Sequence, residues 1–176
     1  MRILLDENVP LPLVHMARLL VKRHELRHVA EIDGWAGTKD VELYARAASA
    51  GFHAVITNDT KQMARPLEVA AIAASGLHRI EYRHNHKHGG LVGLGVAVAT
   101  VCAGLPHALG ELERASGQLL ISLTSIDPSH QNRLRVVDPS ASPPKHWPAP
   151  DRPLPGPRAG NSGERCAGGV IDQTTL

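Results

Sequence analysis

Three aspartates are the residues of this chain whose types and positions best suit chemistry: Asp6, Asp40 and Asp59. Asp6 ends the aliphatic run of ILLDEN, Asp59 ends AVITND more than fifty residues later, and Asp40 opens DVELYARA. Singly each has a plain structural explanation: a turn residue after a strand, a helix N-cap, and compensation of a helix dipole. Brought together, the three carboxylates would repel one another and raise each other's pKa values unless a cation neutralised them. Hard oxygen donors of this kind suit Mg²⁺ or Mn²⁺. Such an ion activates water and stabilises the charge that develops when a phosphodiester is attacked in line.

The elements that must position these acids follow from periodicity. Residues 3 to 5 read as a short buried strand, and Pro10 and Pro12 fit the first turn of a helix with Leu13, Met16, Ala17 and Leu20 on its inner face. HELRHVAEI is a second strand candidate, followed by the loop DGWAGT. A helix is expected from Lys39 to Ala50, with Thr38 as N-cap and Gly51 as its stop. HAVIT gives a third strand, residues 61 to 75 a further helix, LHRIEY a fourth strand and QLLISLTSI a fifth. Strands alternating with helices predict an α/β domain whose mostly parallel sheet of about five strands is covered on both faces. Ligands of such sheets bind beyond the carboxyl ends of the strands. Asp6 and Asp59 both fall there.

Composition sets the outer bounds. At 176 residues and 43% apolar content the chain can bury one core. Asp6 and Glu7 interrupt the first apolar run before a signal sequence could form, so a cytoplasmic protein is expected. Cys102 and Cys166 make neither a disulfide framework nor a metal knuckle. A formal charge of +2 does not by itself mark a nucleic-acid binder. LVGLGVAVATVCAGL, residues 91 to 105, is too short and too rich in glycine for a membrane span. It reads as a buried helix, the alternatives being a surface for a homodimer or another partner, or contact with a membrane. Beyond Asp138 the chain is proline and glycine with hardly a large aliphatic residue, so residues 1 to 138 are expected to form the domain and residues 139 to 176 a disordered tail.

LLDEN, GTKDVELYARA and AVITND resemble the PIN-like ribonuclease domains, particularly the short bacterial group related to VapC toxins of toxin–antitoxin modules. The resemblance covers about residues 1 to 83. It implies a three-layer α/β/α fold in which Asp6, Asp40 and Asp59 form a Mg²⁺-binding pocket that cleaves RNA, with Thr57 orienting the pocket by hydrogen bonding. It also implies a cognate antitoxin protein as partner. The pattern departs at Lys61 and Gln62, where related sequences carry a second aspartate and then an aromatic. Glu7, Glu42 or Glu81 would then have to serve as the fourth acid.

Lys61, Arg65, Arg79 and Arg83 are the basic residues near the site in sequence, suited to phosphate contacts that give affinity without base specificity. His84, His86 and His88 invite a transition-metal reading, but no cysteine or carboxylate joins them. The function expected is a metal-dependent endoribonuclease. The rival is a catalytically inactive PIN-like module that binds RNA or protein. A phosphatase using Asp6 as a covalent nucleophile is disfavoured, because DEN lacks the second aspartate two positions on.

Overall fold

A computed structural model describes residues 1–83 and 89–126. The histidines at 84, 86 and 88, Cys166 and the expected tail lie outside the described residues.

Five short strands form one parallel sheet: β1 (Arg2–Leu5), β2 (Glu25–His28), β3 (Ala54–Thr57), β4 (His78–Tyr82) and β5 (Leu120–Leu123), in the order β2-β1-β3-β4-β5. Helices α1 (Leu11–Leu20), α2 (Asp40–Ser49), α3 (Pro66–Ser75) and α4 (Gly90–Arg114) complete it. Strand side chains alternate between two cores, as period-two geometry requires. Ile3, Leu5, Ala54, Ile56, Ile80 and Tyr82 pack with α1 and α4 on one face. Leu4 and Val55 pack with Leu43, Tyr44, Ala47 and Ile72 of α2 and α3 on the other. The result is the expected three-layer α/β/α arrangement.

This order carries a functional consequence. From β1 the chain moves outward to β2, then crosses back over β1 to β3. The two connections leave by opposite faces, so a crevice opens between the carboxyl ends of β1 and β3, the topological switch point of such a sheet. Asp6 follows β1 directly, and its backbone N–H donates to the Ile56 carbonyl of β3 at 2.9 Å.

Several local expectations need correction. In α1 the buried residues are Leu13, Val14 and Ala17, whereas Met16 and Leu20 are about half exposed. The stripe that reaches the sheet continues to Val21 just past the helix, and it lies to one side of the one expected. The second strand stops at His28. There the His28 side chain accepts from the Ala30 N–H while Glu31 accepts from the His28 N–H, a capping box that turns residues Val29–Glu31 into 3-10 helix. Helix α2 starts with Lys39 as its N-cap and no side-chain cap, because the Thr38 hydroxyl donates instead to the Trp35 carbonyl at 2.6 Å. Gly51, at φ +76°, does follow its end.

The helix expected at 61 to 75 is two elements, a 3-10 turn at Thr60–Ala64 and then α3. Pro66 forces the break: Arg65 before it is extended (φ −109°, ψ 112°), and the proline begins a new helix in the first turn, where its missing N–H costs nothing. The apolar run at 91 to 105 lies within a helix of 25 residues, long and apolar enough to cross a membrane by length and composition. In this structure α4 turns Val96, Ala97, Thr100, Val101 and Leu105 into the protein, and the cluster that includes Val101 and Leu105 contains sheet residues and α1.

Candidate active site

The site is built from the switch point outward. Asp6 and Thr57 are the first polar residues on the α2/α3 face of β1 and β3, each one pleat repeat beyond an apolar residue of that face, Leu4 and Val55. Both are almost wholly buried, at 3% and 0% exposure. The Thr57 hydroxyl donates to Asp6 Oδ2 at 2.8 Å and accepts from the Asp59 N–H at 3.0 Å, so one side chain fixes the first acid and the backbone of the third. Asn8 adds a weaker hydrogen bond to Asp6 Oδ2 at 3.3 Å. Asp59 caps the 3-10 turn, its Oδ1 accepting from the Lys61 N–H at 2.8 Å.

Asp40 enters from α2, where it is the first helical residue. Burial raises its pKa above the usual aspartate value, and the nearby charges of Asp6, Glu68 and Asp59 push the same way, opposed by hydrogen bonding from Gln62. The structure therefore brings Asp6, Asp40 and Asp59 into one electrostatic neighbourhood. It adds an acid that the sequence reading overlooked, Glu68, in the first turn of α3. Glu68 Oε2 is buried without a hydrogen-bond partner among the described residues. The signal for it was Pro66, which starts a new helix and so places Glu68 in its first turn.

The three acids expected to stand in for the missing aspartate are engaged elsewhere. Glu7 accepts from the Gly37 N–H at 3.0 Å and pins the loop before α2. Glu42 is largely exposed and stands 3.9 Å from Arg46 on its own helix. Glu81 lies on the correct face of β4 but pairs with Arg79 at 2.5 Å and accepts from the Ser122 hydroxyl at 2.6 Å. Burial alone would raise the Glu81 pKa, yet the hydrogen bonds from Ser122 and Arg79 and the charges of Arg79 and Arg83 hold it below the usual glutamate value.

The basic residues divide sharply. Arg79, expected as a surface phosphate contact, is 2% exposed and cannot serve as one. Its guanidinium donates to the Asp59 carbonyl at 2.9 Å and to Glu81, and lies 3.4 Å from Gln62 Oε1, which also accepts from the Tyr44 hydroxyl at 3.3 Å. It thus supports the acids from beneath: Asp59 through its backbone, and Asp40 through Gln62. Lys61 and Arg83 are exposed. Arg65 is half exposed and turned inward, with Nη1 at 2.9 Å from Glu68 Oε1, 3.7 Å from Asp59 Oδ2 and 3.9 Å from Asp40 Oδ2.

The donor set suits a hard divalent cation in its chemistry: Asp6, Asp40, Asp59 and Glu68 offer only carboxylate oxygens, one of them buried and unpartnered. In this conformation, however, no group of three or more His, Cys, Asp or Glu among the described residues is arranged so that it could hold an ion. The positive charge facing Asp40, Asp59 and Glu68 is the Arg65 guanidinium.

A five-stranded parallel sheet between helical layers, with carboxylates gathered at its switch point, defines a three-layer α/β/α domain. Residues 1–82 match the family model described as a PIN like domain. The match covers β1 to β4 and every site residue named above except Arg83 and Ser122, while α4 and β5 lie beyond it. No curated protein and no solved structure gives a significant match to the chain.

Proposed function

We propose that this protein is a Mg²⁺- or Mn²⁺-dependent endoribonuclease acting in the cytoplasm as the toxin of a toxin–antitoxin pair, with a cognate antitoxin as its protein partner. The observation that carries the nuclease reading is the match of residues 1–82 to the PIN like domain model together with the gathering of Asp6, Asp40, Asp59 and Glu68 at the switch point, where Thr57 ties Asp6 to Asp59 and Arg65 reaches the other three acids. A fold that gathers like charges in a half-buried crevice sacrifices stability there, which is the usual mark of a site kept for a ligand. The toxin reading rests on the resemblance of LLDEN, GTKDVELYARA and AVITND alone.

Asp6, Asp40, Asp59 and Glu68 are the carboxylates that would hold the ion after closing up from their spacing in this structure, and the bound ion would supply an activated water and charge stabilisation at the phosphodiester. Thr57 keeps Asp6 in one orientation through its hydroxyl. Arg79 and Gln62 keep Asp59 and Asp40 from drifting apart. Exposed Lys61 and Arg83 attract the RNA backbone without reading its bases. The second reading, an inactive RNA- or protein-binding module, draws support from the way Arg65 already neutralises the acids.

The deciding experiment incubates the purified full chain with a mixed RNA substrate and Mn²⁺, then repeats it with EDTA and with Asp6→Asn and Asp59→Asn. Cleavage by the parent alone, abolished by EDTA and by either substitution in folded protein, is the expected result. Intact RNA throughout, with RNA binding retained, would replace the nuclease by the binding module.

A further inference from the structure

Arg65 reaches across this site from the turn before α3, and its hydrogen bond to Glu68 does not by itself account for its approach to Asp40 and Asp59. It contributes little burial, being half exposed, and its backbone is already fixed by Pro66. All three of its contacts to acids are made by the single nitrogen Nη1, which faces carboxylates from three different elements: Asp40 of α2, Asp59 after β3 and Glu68 of α3. Only the Glu68 contact, at 2.9 Å, is a hydrogen bond. The other two, at 3.7 and 3.9 Å, are attractions of charge without hydrogen-bond geometry. Among the described residues Nε and Nη2 make no hydrogen bond, which leaves most of the guanidinium fork open to another acceptor.

We propose that Arg65 is a resident counter-cation that competes with the divalent ion for Asp40, Asp59 and Glu68, and that an RNA phosphate, by drawing the guanidinium out, prepares the acids for metal. The inference rests on the acids being a cation site, and it adds the coupling between that site and the nucleic acid. Two cations cannot share these carboxylates without repulsion, which is screened least against the protein wall. A half-exposed side chain on a fixed backbone can swing by rotamer change alone. Arginine's planar fork suits a phosphate better than it suits three carboxylates on separate elements. Linkage then makes the effect reciprocal: RNA tightens metal binding by the same factor as metal tightens RNA binding. Metal would load chiefly where substrate is already bound, so the free protein would hold its acids neutralised from within.

The test is calorimetric titration of Mn²⁺ into the full chain, for the parent and for Arg65→Ala, Arg65→Gln and Arg65→Lys. Far-UV circular dichroism checks the fold of each. Both neutral variants should bind Mn²⁺ more tightly than the parent by about fivefold or more, the lower end of ordinary coupling, with Arg65→Lys close to the parent. A 2′-O-methyl oligoribonucleotide, which supplies backbone phosphates, should tighten Mn²⁺ binding to the parent and leave it unchanged in Arg65→Ala. Equal or weaker Mn²⁺ binding in the neutral variants overturns the proposal and makes Arg65 a plain helix-start partner of Glu68, even if the parent cleaves RNA. Tighter binding in the variants upholds it even if no RNA is cut. Absence of Mn²⁺ binding in every form overturns both this inference and the metal-dependent reading.

Discussion

The Thr57 hydroxyl donates to Asp6 Oδ2 at 2.8 Å across the gap between β1 and β3, at the point where the strand order reverses. The same oxygen accepts the Asp59 N–H at 3.0 Å, so a side chain with no exposed surface ties together two acids that are more than fifty residues apart in sequence. Replacing it with the isosteric valine removes both bonds while keeping the shape. Thr57→Val should destabilise the protein by about 1 to 3 kcal/mol, the cost of leaving buried polar groups unpaired. Thr57→Ser should recover most of that. Urea unfolding of the two variants beside the parent measures it, and an unchanged midpoint in Thr57→Val would show that water replaces the hydroxyl.

Asp40 gives a signed pH dependence. Its raised pKa means that the folded state holds the proton more tightly than the unfolded chain. The stability it contributes is therefore present below the ordinary aspartate value of about 3.9 and falls as pH rises from there through the raised value. Glu31 behaves oppositely. Hydrogen bonds from Arg18 and from the His28 N–H lower its pKa to about 2, so its contribution is present above the unfolded glutamate value and lost as pH falls towards 2. Thermal unfolding from pH 2 to 7 should show Asp40→Asn losing the downward slope above about pH 4. Glu31→Gln should lose the rise beneath it. The Asp40 assignment fails if Asp40→Asn retains the parent's slope.

Metal should reverse the sign of the Asp40 effect. For the parent, Mn²⁺ at about a hundredfold over its dissociation constant adds about 2.7 kcal/mol of stability by mass action. Asp40→Asn and Glu68→Gln should each show a much smaller shift in melting temperature on adding Mn²⁺, although neither change should harm the metal-free protein. A full Mn²⁺ shift in Glu68→Gln would remove Glu68 from the ligand set.

Arg79 and Lys61 should separate cleanly in experiment. Arg79→Met leaves Glu81 and the Asp59 carbonyl without their buried cation and should cost about 3 kcal/mol or more, as breaking a buried pair does. Lys61→Ala, at an exposed position, should leave stability unchanged and lower the slope of RNA affinity against salt by about one phosphate contact. An unaltered salt slope in Lys61→Ala would place the RNA track elsewhere on the surface.

The sequence by itself determined the elements and three of the acids. Short aliphatic runs that stop at Asp6 and Asn58 read as buried strands ending at a rim, and alternation with helical spacing fixes a parallel sheet, because the chain must cross over to return in the same direction. Strand order, by contrast, depends on which apolar faces pack together, and it put Asp6 beside Thr57 rather than at opposite edges. Burial decided the rest. Arg79 and Arg83 are both arginines close to β4 in sequence, but the pleat turns Arg79 under α3 and the site, whereas Arg83 follows the strand into solvent. Glu68 was hidden by a helix boundary misplaced across Pro66, and the contacts of Arg65 with Asp40, Asp59 and Glu68 depend on three elements meeting, which no local spacing encodes.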